Sequence, residues 1–109
     1  MKKKVKMVNV VIYLKNEKSA KELANFLLTE KLIASASIDF NNVFYEQEED
    51  KIKEQVYTVI TCQSKSLLFD SIVKAVEQFL EEETPIYCLP IVASNKVFDN
   101  SIRIKTIRI

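Results

Sequence analysis

Four acidic side chains crowd one short stretch, Glu46, Glu48, Glu49 and Asp50. Carboxylate oxygens at that density are what a hard divalent cation takes. Their spacing matches no calcium loop, which needs ligands at alternate positions and a glycine at its sharp turn, and a solvated acidic turn accounts for them more simply. The two cysteines, Cys62 and Cys88, form no C-x-x-C pair, so neither a zinc finger nor a thioredoxin-type motif is available. Cys88 follows Tyr87 in an apolar run, and neighbours on a strand point to opposite faces, which suits a buried core thiol better than a ligand. Both cysteines read as thiols of a reducing compartment, with a disulfide between adjacent strands left open. Tyr45 and Tyr57 are candidates for an aromatic pair across a hairpin or for the lining of a subunit cleft, packing being the simpler role.

Absent residue types remove more chemistry than the present ones offer. The chain has no histidine, so the commonest metal ligand and the commonest general base are both missing. It has no glycine either, which excludes phosphate-cradling loops, the dinucleotide fingerprint and the nucleophile elbow, each of which needs a backbone without Cβ. The residues therefore nominate no catalytic, cofactor-binding or metal-binding position, and the reading is non-enzymatic. Sixteen Lys and Arg against fifteen Asp and Glu leave a formal charge of +1, too little to draw the whole molecule to nucleic acid or an anionic membrane.

With 48% apolar and 28% charged residues in 109, the chain reads as one globular domain spanning 1–109. The opening MKKKVKMVNVVIYL is interrupted by Asn9 and has no A-x-A-like cleavage site, so the expected location is the cytoplasm. Its lysine run, Lys2 to Lys4, reads as a solvated end.

The elements follow from periodicity. Met7 to Leu14 is β-branched and short, a buried strand. From Glu17 to about Lys31, Ala20, Leu23, Ala24, Leu27 and Leu28 fall on one helical face, with Asn16 as N-cap. Ile33 to Phe44 alternates, with Ala34, Ala36, Ile38 and Phe40 on one side and Ile33, Ser35, Ser37 and Asp39 on the other. Asn41-Asn42 suits a turn or bulge, after which Val43 to Tyr45 stays extended. Glu46 to Lys53 forms a polar tip, and Glu54 to Gln63 returns with Val56, Thr58, Ile60 and Cys62 on one face and Tyr57, Val59 and Thr61 on the other. A second helix runs from a Ser64 or Ser66 cap to about Glu82 and stops before Pro85. Ile86 to Ala93 is a strand that Pro90 assigns to an edge or bulge. Ser94 to Ser101 reads as a polar connection and IRIKTIRI as an edge strand or extended tail.

That order is β-α-β-β-α-β plus a C-terminal extra segment, an α+β ferredoxin-like fold in which two helices cover one face of an antiparallel sheet. The other face, bearing Tyr57 and Val59, then needs a cover. RNA recognition on this fold is not supported, because Glu54 to Gln63 lacks the aromatic, glycine and basic residues it uses.

AKELANFLLTEKLIASASI at 20–38, VYTVIT at 56–61 and LPIVASNKVF at 89–98 resemble the CutA family of divalent-cation tolerance proteins. The resemblance implies a ferredoxin-like subunit in a tight homotrimer, with the hairpin from about Ala34 to Gln63 joining neighbouring sheets. It also implies a divalent metal such as copper, but the family's polar signature is lost. Its strand cysteine falls on Ser35, its hairpin Trp and Gly within Glu46 to Asp50, its Glu on Gln55 and its Lys on Thr61. Its histidine falls near Leu80, and a Glu near Ile86. A Cys/His site cannot be carried over, so no metal ligand or cofactor is assigned. The alternative is a small-molecule-sensing module similar to the nitrogen-regulatory signal proteins, with ligand clefts between subunits; the missing glycines count against a nucleotide there.

Overall fold

The computed structural model describes residues 6–109; the lysine run expected as a solvated end lies outside them. The elements are β1 (Met7–Leu14), α1 (Glu17–Thr29), β2 (Ser35–Glu48), β3 (Lys51–Lys65), α2 (Phe69–Leu80), β4 (Ile86–Pro90) and α3 (Lys96–Lys105), with a 3₁₀ turn at Ser66–Leu68 ahead of α2. The strands lie in the order β2-β3-β1-β4, and each neighbouring pair is antiparallel. This is the expected α+β arrangement, with a third helix added.

α1 forms where its apolar period and its cap agree. The Asn16 side chain accepts a hydrogen bond from the Ser19 amide at 3.1 Å, and Ala20, Leu23, Ala24 and Leu27 are buried. Leu28, at the margin of the stripe, stays 38% exposed. The helix ends at Thr29, short of Lys31, which turns left-handed at φ 57°. That turn changes which side the next residues take. Ile33 enters the core beneath the helices while Ala34 packs with Met7 and Ile102, the reverse of the predicted faces.

The core lies between the helices and the even-numbered side of β1. Val10, Ile12, Leu23, Leu27, Ile60, Cys62, Ile72 and Val76 are all fully enclosed there. Each large aliphatic side chain among them contributes about 1.5–3 kcal/mol by leaving water. Neither Ser64 nor Ser66 caps α2. Ser64 is fully buried and donates to the Leu32 carbonyl at 2.6 Å, while the 3₁₀ turn starts without a side-chain cap. α2 closes at Leu80, where Glu81 turns left-handed ahead of Pro85.

The hairpin is longer than its sequence suggests. β2 and β3 pair out to Glu48 and Lys51, so the expected polar tip shrinks to Glu49 and Asp50, both left-handed at φ 49° and 65°. Two such residues make the turn whose twist suits a two-residue hairpin, here achieved without glycine. The expected irregularity at Asn41-Asn42 is a β-bulge: Asp39 pairs with Val59 and Asn42 with Tyr57, so β2 holds one residue more than its partner. One extra residue flips every later side chain to the other face. Ala36 and Ile38 pack beneath the helices, whereas Phe44, of the same parity, packs on the opposite face with Tyr57.

β4 ends at Pro90 instead of Ala93 and occupies a sheet edge, where a missing backbone donor is tolerated. The segment expected as a connection and then a strand or tail folds as α3. Asn95 accepts from the Phe98 amide at 3.0 Å, and Asp99 pairs with Arg103 one turn on at 2.9 Å. The partial alternation of isoleucines was misleading because Ile102 is buried while Ile104 and Ile107 are exposed. Packing of Ile102 against Met7, Ala34 and Ile91 anchors the helix, and the cap and the i,i+4 pair add to it.

Candidate functional site

The two sheet faces differ in what covers them. α1 and α2 close one. On the other, α3 covers only the end near Met7, Ala34 and Ile91, using Ile102. Beyond α3 the open face carries first a polar row and then an aromatic group. In the polar row Ser35 Oγ donates to Gln63 Oε1, and Gln63 Nε2 donates to Asn9 Oδ1 at 2.8 Å. β3 sits between β2 and β1, so one glutamine bridges three strands. Neither Asn9 nor Gln63 was singled out by sequence, since isolated amides in β-rich runs give no periodic signal.

The aromatic group consists of Tyr13, Phe44, Tyr57 and Tyr87. Tyr13, Phe44 and Tyr57 meet edge to face with centroids 5.4–5.5 Å apart, and Tyr87 lies 6.3 Å from Tyr13. Such contacts are worth about 0.5–1.5 kcal/mol per pair beyond area burial. Burial raises the Tyr13 pKa, and the neighbouring Tyr87 adds to it. The expected Tyr45–Tyr57 pair does not form. The bulge places Tyr57 opposite Asn42 and turns Tyr45 to the other face, where its hydroxyl donates to Glu54 Oε1 at 3.2 Å.

The acidic stretch does not converge. Glu46 accepts from Gln55 Nε2 at 2.8 Å, Glu48 pairs with Lys53 at 3.2 Å, and Glu49 and Asp50 form the turn itself. Among the described residues no three acidic, cysteine or histidine side chains gather as a metal cluster would require. Cys62 and Cys88 both lie opposite Val10, on the two strands that flank β1, so a whole strand separates them and both are free. Burial pushes the Cys62 thiol up to about 12, leaving it inert as a nucleophile. Leu80 and Ile86 pack against the core, and Gln55 and Ser35 are engaged as described, so the positions matched to family ligands hold ordinary packing and hydrogen-bonding groups.

At the base of α3 the charges are basic. Lys65 is 4% exposed and its ammonium donates to the Ile107 carbonyl at 2.8 Å. Burial lowers its pKa, and Arg103 and Arg108 lower it further. Beside it a cavity of about 560 Å³ opens between the segment following β4 and α3, lined in part by Lys6, Lys96 and Arg103.

Strand order, helix placement and the long bulged hairpin define a ferredoxin-like α+β fold. The sequence matches the family model for the CutA1 divalent ion tolerance protein over residues 8–103, and the chain belongs to that family. CutA1 from Oryza sativa superposes with a TM-score of 0.86 at 21% identity, covering 94% of this chain and 95% of the rice chain. The divalent cation tolerance protein of Thermus thermophilus matches at 0.83 and 20% identity, over 92% and 98% of the two chains. The periplasmic divalent cation tolerance protein CutA from Archaeoglobus fulgidus matches at 0.81 and 22%, over 91% and 97%. At these identities the likeness is one of fold. No curated protein matches the sequence.

Proposed function

We propose that this chain acts in divalent-cation tolerance as a non-enzymatic, cytoplasmic homotrimer, each subunit a single domain over 1–109, without the Cys/His metal ligands of its family. The observation that carries the assembly is the half-covered sheet face together with the projecting hairpin. β2 alone spans roughly 45 Å at about 3.3 Å per residue, and the molecule measures 50 Å along its longest axis. Beyond the bulge the hairpin exposes Val43, Tyr45, Ile52 and Val56, each more than half accessible. Contiguous apolar surface of this kind marks an interaction site, and the partly buried Phe44 adds to it on the opposite side. A hairpin apolar on both sides suits insertion between neighbouring subunits.

Loss of the metal ligands rests on the same geometry: Ser35 is spent on Gln63, and Leu80 and Ile86 belong to the core. Light scattering on the purified protein is expected to give three times the chain mass of 12.6 kDa; a monomer overturns the assembly. Equilibrium dialysis against Cu(II), Zn(II) and Mn(II) is expected to show weak binding. Tight stoichiometric copper binding would overturn the ligand-loss reading while leaving the trimer intact.

A further inference from the structure

The cavity beside α3 has two unlike walls. Met7 and Ile91 supply apolar surface, and Lys6, Lys96 and Arg103 supply positive charge. Asp99 is the one carboxylate among its lining residues, and it bonds a single guanidinium nitrogen, Arg103 Nη2, at 2.9 Å. A guanidinium has five N–H donors, so most of those of Arg103 remain free for another acceptor. Asn95 satisfies one amide at the α3 N-terminus, and the formal positive charge of the cavity comes from Lys6, Lys96 and Arg103.

Lys65 lies outside the lining but near enough to Arg103 for their charges to interact. This side chain is almost wholly enclosed, yet its ammonium, with three donor hydrogens, has one partner among the described residues, the Ile107 carbonyl. Arg103 and Arg108 lie close enough to disfavour its charged form, as burial does more strongly. Like charges gathered around a low-dielectric spot repel, and a bound anion is what relieves them.

We propose that this cavity binds a small organic oxyanion, a multivalent carboxylate or phosphate compound, with Arg103 and Lys96 as its principal contacts and the Met7–Ile91 wall taking its carbon skeleton. Its volume of about 560 Å³ falls within the roughly 300–1,000 Å³ usual for small-molecule sites. The inference does not depend on the trimer or on cation tolerance.

Calorimetric titration of the full chain at low ionic strength with citrate and, separately, with pyrophosphate provides the test. At least one is expected to bind with a Kd below about 1 mM, and the stronger of the two identifies carboxylate or phosphate as the source. Arg103→Gln and Lys96→Gln should each weaken that binding roughly tenfold, the size of one charge-assisted hydrogen bond. Asp99→Asn should tighten it by releasing Arg103. Lys18→Gln removes an equivalent charge from α1, where the side chain is 86% exposed, and should change nothing. The proposal is overturned if neither anion binds, if the α3 variants bind like wild type with their helical circular dichroism intact, or if Lys18→Gln weakens binding equally.

Discussion

The same strand, β3, contributes to two unlike faces, and adjacent residues on it show the contrast. Ile60 is wholly enclosed beneath α1 and α2, while Val59 and Tyr57 are buried by packing with Tyr13 and Phe44, not beneath a helix. The helix-covered face is finished within one chain. Its side chains are aliphatic and close-packed, and its few polar groups, such as Ser64, are satisfied. The other face is finished only near α3; farther out it relies on aromatic side chains in edge contact and on the exposed hairpin. Aliphatic packing stabilises a subunit, whereas aromatic rings with polar rims suit a surface that is wet in one state and covered in another.

Substitutions can break that contrast, the largest effect coming from the finished face. Ile60→Ala leaves a cavity in the enclosed core, and should lower unfolding free energy by about 2–5 kcal/mol in chemical denaturation. An equal loss for Val59→Ala would mean that the faces are not different in kind.

Phe44→Ala tests how the open face is held together. It removes the edge-to-face contacts of Phe44 with Tyr13 and Tyr57, a loss of roughly 1–3 kcal/mol from two aromatic pairs. The near-ultraviolet circular dichroism of the tyrosines should weaken, and in the proposed trimer the assembled mass should fall with it. Retention of both would show that Phe44 does not hold the aromatic group together.

A smaller effect is graded by pH. Cys62 keeps its proton in the fold until about 12 but ionises near 9.0 when unfolded. Its contribution is therefore complete below about pH 9 and is lost as pH rises toward 12, with a slope of at most about 1.4 kcal/mol per pH unit. Lys65, with its pKa lowered, acts oppositely, favouring the fold as pH rises toward the ordinary lysine value of 10.5. Comparing wild type with Cys62→Ala cancels that opposing trend, since both keep Lys65. Parallel pH profiles for the two proteins would show that Cys62 is not the protected thiol the geometry makes it. Thiol reagent at neutral pH should reach the half-buried Cys88 first.

Much of the subunit was legible in the sequence because periodicity is local. The α1 stripe and its Asn16 cap, the β-branched run of β1, the alternation of β3, the edge position imposed by Pro90 and the bulge at Asn41-Asn42 each depend on residues within a few positions of one another. α3 is not legible in the sequence because its isoleucines alternate, and only contact with Met7 and Ala34 singles out Ile102 as the buried one. The hairpin tip is shorter than its charge pattern suggests, because residues 46–48 and 51–53 pair as strand despite reading as loop.

For the candidate sites the division is sharper. Composition by itself removed histidine and glycine chemistry, a conclusion independent of folding. It could not show that Gln63 would link Ser35 to Asn9, that a strand would separate the two cysteines, or that Lys6, Lys96 and Arg103 would meet around one cavity. Those are encounters between segments distant along the chain, set by sheet register and by the docking of α3. Local sequence determines which face of each element is apolar; only tertiary structure decides which polar groups those faces bring together, because their partners follow no sequence period.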